Sequence, residues 1–130
     1  MIDRNPLADC PPSPNCVCSL ASRPTQAMPP LRFEGDAESA LEHVAAVLQS
    51  LPRVSLVEQR PAYLHATFTS LILRFVDDVE FYADSASRQL HFRSASRLGY
   101  SDLGANRRRM LALVQRLEPY GIVPVSPPRG

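Results

Sequence analysis

A chain of 130 residues, 45% hydrophobic and 21% charged, is sized for one soluble globular domain with a modest core. Its formal net charge of +1 provides no global field for nucleic acid or an anionic membrane, and the absence of tryptophan removes any indole platform for stacking bases. All 14 basic residues are arginine, which suits bidentate contact with carboxylate or phosphate, although a complete lack of lysine points to coding bias rather than function.

Residues 1–30 hold seven prolines and three cysteines and predict an irregular, proline-stiffened N-terminal arm. The opening "MIDRNPLADCPPSP" lacks the apolar centre of a signal peptide, and no apolar run approaches the roughly 18 residues that span a bilayer. The chain as written is therefore expected in the cytoplasm, with no membrane span. Cys10, Cys16 and Cys18 fall within nine residues. Three thiols are not the paired four-ligand pattern of structural zinc, so no metal is assigned. A Cys10–Cys16 disulfide is within reach and closes a short loop, but a reducing compartment predicts free thiols, with Cys18 as an odd thiol able to reshuffle.

Residues 31–118 carry the periodic patterns of an α+β domain. Asp36 is a good N-cap, Ala40, Leu41, Val44, Val47, Leu48 and Leu51 follow at helical spacing, and Pro52 stops the helix, giving a helix over 36–51. "RVSLVEQ" and "AYLHATFTSLILRFV" follow, the second alternating Leu64, Ala66 and Phe68 against Tyr63, His65 and Thr67, as in a half-buried strand. "VDDVEFYAD" places Val79, Phe81 and Ala83 on one face and Asp78, Glu80 and Tyr82 on the other. After the "DSASR" turn, "QLHFRSASR" returns with Leu90 and Phe92 inward and His91 and Arg93 outward. A last helix over 103–117 has Leu103, Met110, Leu113, Val114 and Leu117 on its stripe. Residues 119–130 form a proline-rich C-terminal tail, within which "YGIVPV" is apolar enough to dock.

This order predicts a two-layer sandwich: an antiparallel meander of about four strands with both helices on one face. The other face is then open. On it Arg93 falls opposite Asp78 or Glu80, forming a cross-strand ion-pair ladder or a surface that reads a ligand.

The run "RSASRLGYSDLGANRRR" (93–109) joins the last strand to the last helix. Asp77 shares the core side of Val79 and Phe81, Ser94 and Ser96 share that of Leu90 and Phe92, and Asn106 lies on the buried helix stripe. A buried carboxylate must be hydrogen-bonded or protonated, so Ser94 or Ser96, Asn106 and backbone amides are expected to satisfy Asp77. Ser101 or Asp102 is placed to cap the helix. The joint is expected to be mainly structural, and a pocket beside it would present Asp77 and Arg97 to a ligand.

"CPPSPNCVCS" (10–19), "FVDDVEF" (75–81) and the 93–109 run, in that order, resemble the bacterial and plastid family called domain of unknown function 1499. Members typically show the proline-cysteine entry, the double aspartate and the serine-arginine-glycine-aspartate-asparagine run, and many are secreted, lipid-anchored or fused to membrane segments. The sequence as written is expected to differ from them in having no such N-terminal segment, and it has Cys18 where serine is usual. The resemblance implies no activity, substrate or cofactor.

Two functions of different class follow. The first is a non-catalytic binding or assembly module that contacts a protein or small ligand through the open sheet face. The second is a small hydrolase or isomerase using Asp77, Asp78 and Glu80 with Ser94 or Ser96. Nucleic-acid binding through Arg107, Arg108 and Arg109 is disfavoured, because successive helical residues point about 100° apart and form no single patch.

Overall fold

The computed structural model describes residues 5–99 and 101–125. Nine regular elements follow in chain order: β1 (Cys16–Cys18), β2 (Leu31–Arg32), α1 (Ala37–Gln49), β3 (Val54–Arg60), β4 (Tyr63–Thr69), β5 (Val76–Asp84), β6 (Gln89–Ser96), α2 (Ala105–Leu117) and β7 (Val123–Pro124). Short 3₁₀ turns lie at Pro24–Gln26 and Glu118–Tyr120. The protein is α+β, with two helices and an antiparallel sheet.

The four-stranded two-layer sandwich expected from the sequence is corrected. β3 to β6 do form an antiparallel meander, but the sheet has seven strands in the order β3-β4-β5-β6-β2-β7, with β1 also on β6. The free edge of β6 is shared, Cys16–Cys18 lying opposite residues 93–95 and Leu31–Arg32 opposite residues 89–90. The arm and the tail thus each lend a short strand, β1 and β7, and the arm is not wholly irregular. Strands of two or three residues among prolines carry no readable alternation, so the sequence does not announce them.

One face of the sheet buries Leu64, Ala66, Val79, Phe81, Leu90 and Phe92 against Leu41, Val44 and Leu48 of α1 and Met110, Leu113 and Leu117 of α2. Asp36 starts α1, its carboxylate accepting from the Ser39 amide at 2.7 Å. Leu103 is corrected: it lies before α2 in left-handed backbone (φ 54°) and is 84% exposed rather than on the buried stripe. Val17 reaches the same core from β1.

The second face is not open, and that expectation is also corrected. The arm folds over it. Leu7 packs on Tyr63 and Tyr82, while Cys10, Cys16 and Cys18 cluster on Ala95. His91 is buried there too. Cys10 and Cys16 are disulfide-bonded rather than reduced, and Cys18 is the free thiol. Burial pushes its pKa up, so it is a poor partner for exchange.

No described helix is long and apolar enough to cross a membrane. The tail beyond residue 125 lies outside the described residues.

A cleft at the end of the sheet as candidate functional site

Antiparallel pairing brings the end of β4, the start of β5 and the end of β6 to one end of the sheet, because Thr69 pairs with Val76 and Asp77 with Ser96. Two connections leave from there, residues 70–75 and the described residues of 97–104. The first is closed by the Ser70 amide donating to the Phe75 carbonyl at 2.9 Å and the Phe75 amide donating to Ser70 Oγ at 2.8 Å. The Arg97 amide donates to the Val76 carbonyl at 3.2 Å, which fastens the second connection beside the first.

Between them lies a cleft of about 630 Å³. Its apolar wall is Phe75, Val76, Leu98, Leu103 and Ala105, and its polar lining includes Arg74, Asp77, Ser96, Arg97, Ser101, Asp102 and Arg109. Leu98 is 77% and Phe75 55% exposed, and Leu71, Ile72 and Leu73 stand exposed on the same connection. The apolar stretch "LILRF" that the sequence attaches to a strand is therefore a surface loop.

Four of the polar lining residues, Asp77, Ser96, Asp102 and Arg109, belong to a buried polar joint centred on Asn106, which has no exposed surface and does not itself line the cleft. Its Oδ1 accepts from Ser94 Oγ at 2.6 Å and from Arg109 Nη1 at 2.8 Å. The two hydrogens of its Nδ2 are shared among Asp102 Oδ2 (2.6 Å), Ser96 Oγ (2.9 Å) and the Asn15 carbonyl (3.1 Å). Asp77 is buried, and its partner is Arg109, whose Nη2 donates to Asp77 Oδ2 at 2.6 Å. The Arg109 guanidinium also donates to Ser94 Oγ at 3.2 Å and lies 4.8 Å from the Phe68 ring centroid. Among the described residues none of Ser94, Ser96 and Asn106 bonds Asp77 directly, contrary to the expected arrangement; arginine satisfies the carboxylate with charge as well as a hydrogen bond, which suits a buried anion better.

The joint reaches the arm through Asn15, which lies inside the disulfide loop. Its Nδ2 donates to the Gly99 carbonyl at 2.7 Å, and its carbonyl accepts from the Ser96 amide at 3.0 Å. The N-cap position of α2 is Gly104 in left-handed backbone, not Ser101 or Asp102 as expected; Asp102, two residues earlier, still reaches the first turn, its Oδ1 accepting from the Gly104 amide at 2.7 Å and its Oδ2 from the Asn106 amide at 3.0 Å. Burial alone raises the Asp102 pKa, but the Asn106 and Gly104 hydrogen bonds together outweigh it and hold the carboxyl below its ordinary value. Ser101 Oγ accepts only a longer bond from the Leu103 amide, at 3.3 Å.

The remaining predicted residues sit on the arm side of the sheet. Asp78 accepts from Arg97 through Nε at 2.8 Å and Nη2 at 3.0 Å, and lies 2.8 Å from His65 Nε2. The Arg97 hydrogen bond, foremost, lowers the Asp78 pKa. Arg93 pairs with Glu80 at 3.6 Å, not with Asp78. Tyr63 donates to Glu80 at 2.5 Å, and burial followed by that bond pushes the phenol pKa up. Asp77 therefore faces the helices with Ser94 and Ser96, while Asp78 and Glu80 face the arm, so the five residues of the hydrolase reading do not converge on one site. Among the described residues, no group of three His, Cys, Asp or Glu side chains is arranged to hold a metal.

Arg109 and Asn15 are the members of the candidate site missed from the sequence. Arg109 stands three residues after Asn106 and so shares its helix face, a signal present in the spacing. The divergence of the three arginines is real and sends each to a different partner. Arg107 donates to the Thr25 carbonyl at 2.9 Å, Arg108 to the Leu103 carbonyl at 2.6 Å, and Arg109 to Asp77.

The family model described as "Protein of unknown function (DUF1499)" matches residues 6–117. The chain belongs to this family. The matched span of this member runs from the arm to the end of α2 and includes both connections that form the cleft. No curated protein and no solved structure matches the chain.

Proposed function

We propose that the protein is a non-catalytic binding module for a small molecule, and that it works through the cleft at the end of the sheet rather than through the arm-covered sheet face. The observation that carries this reading is a concavity of about 630 Å³ walled by large, exposed apolar side chains, with Asp77, Ser96, Asp102 and Arg109 of its polar lining held by hydrogen bonds. Ligand sites are commonly concavities of roughly 300–1,000 Å³ with apolar walls and a few placed polar groups. Exposed leucines and a phenylalanine gathered at one place are costly in water unless something covers them. The polar groups favour binding over chemistry: the Ser94 hydroxyl is fully buried outside the cleft lining and tied to Asn106 and Arg109, and no histidine is among the described residues lining the cleft.

The test is uptake of a neutral, environment-sensitive dye, N-phenyl-1-naphthylamine, by the native chain. One saturable site is expected, lost on filling the cleft with Ala105→Trp while the melting curve is retained. Absence of saturable uptake, or uptake unaffected by that substitution, contradicts the proposal.

A further inference from the structure

Resting on the cleft reading above, we infer that the ligand is a single-chain amphipathic anion, its apolar tail against Phe75, Leu98 and Leu103 and its carboxylate or phosphate head held by Arg74, with Arg97 beside it. The argument is one of charge complementarity within the cleft. Three arginines and two aspartates line it. Asp77 is matched by Arg109 at 2.6 Å. Asp102 is matched by the amides of Gly104 and Asn106 at the start of α2, so the helix N-terminus already holds its anion. Arg97 spends Nε and Nη2 on Asp78, which lies on the other face, and keeps Nη1. Among the described residues, the Arg74 side chain has no hydrogen bond or ion pair. It is exposed, and it stands between the apolar Leu73 and Phe75 in a connection that the Ser70–Phe75 bonds close.

Both acids of the cleft are thus answered internally, and the unanswered charge is cationic. A cationic ligand would meet Arg74 and Arg97 with no free carboxylate. A neutral ligand would use the walls and leave Arg74 unmatched. An anionic head on an apolar chain uses both, the guanidinium giving paired N–H donors to two oxygens of a carboxylate or phosphate. The apolar wall excludes a bare ion as the whole ligand, because it would leave Leu98 and Leu103 in water.

The test is calorimetric titration of the full chain with dodecanoate, dodecyl phosphate and dodecanol, each below its aggregation limit. Both anions are expected to bind about tenfold or more tightly than the alcohol, the margin of one partly exposed charge-assisted contact. Arg74→Gln should erase that margin while leaving the alcohol and the melting temperature unchanged. The tighter of the two anions then says whether carboxylate or phosphate is the head. Equal binding of all three by the native chain, or a margin that survives Arg74→Gln, overturns the anion inference and leaves the cleft reading standing. Binding of none of the three, alongside no dye uptake, overturns the cleft reading and the inference with it.

Discussion

Asn106→Ala is the sharpest probe of the polar joint. The side chain takes part in five hydrogen bonds, to Ser94, Arg109, Asp102, Ser96 and the Asn15 carbonyl, and is fully buried. At about 1 kcal/mol net for each bond, the ceiling is ~5 kcal/mol. Arg109 and Asp102 keep some access to water and other partners, which lowers the cost. Ser94 has no such access and is left with Arg109 alone. The better helix propensity of alanine returns about half a kcal/mol. The expected loss is about 3 kcal/mol, or a melting temperature lower by about 10 °C for a chain of this size. Denaturant unfolding followed by circular dichroism measures it. Ser94→Ala should cost less in the Asn106→Ala background than in the native one, with a coupling of about 1 kcal/mol. A loss below ~1 kcal/mol, together with additive single changes, would refute the joint as a cooperative network.

Opening the Cys10–Cys16 loop, by reduction or by changing both residues to serine, should cost about 2 kcal/mol from the chain entropy of a loop this short. It should also speed amide exchange at Ser96, whose partner is Asn15 inside the loop; unchanged stability and exchange would show that the arm does not depend on the bridge. His91 has its pKa lowered, chiefly by burial, with Asp84 acting the other way. A depressed folded pKa means that its contribution is present above the unfolded value of about 6.5 and is lost as pH falls through the folded value. An NMR titration should place the His91 midpoint below 6.5, and His91→Gln should flatten stability against pH in that window; a midpoint at or above 6.5 contradicts the buried, arm-covered face.

What was legible in the sequence is what repeats at helical or strand period. Asp36 and Pro52 bracket α1, and the alternation through Val79, Phe81, Leu90 and Phe92 orients β5 and β6. The position of Asn106 on the α2 stripe was legible for the same reason. The short β1, β2 and β7 were not, since two or three residues show no period and their pairing is fixed by the edge of β6. Nor was the covering of the second face, because Leu7 and the cysteines meet Tyr63, Tyr82 and Ala95 only through long-range folding. "LILRF" looks like a strand because composition does not say which apolar run finds a core. The cleft follows from that misfit: it exists because Phe75, Leu98 and Leu103 stay outside.

Backbone amide mapping by two-dimensional NMR during titration with dodecanoate tests the central claim most directly. The cleft account predicts saturable shifts concentrated in residues 70–77, in the described residues of 96–105 and at Arg109, with the arm-side residues of β4, β5 and β6 unmoved. Shifts centred on Tyr63, Tyr82 and His91, or no saturable shifts at any site, would contradict it.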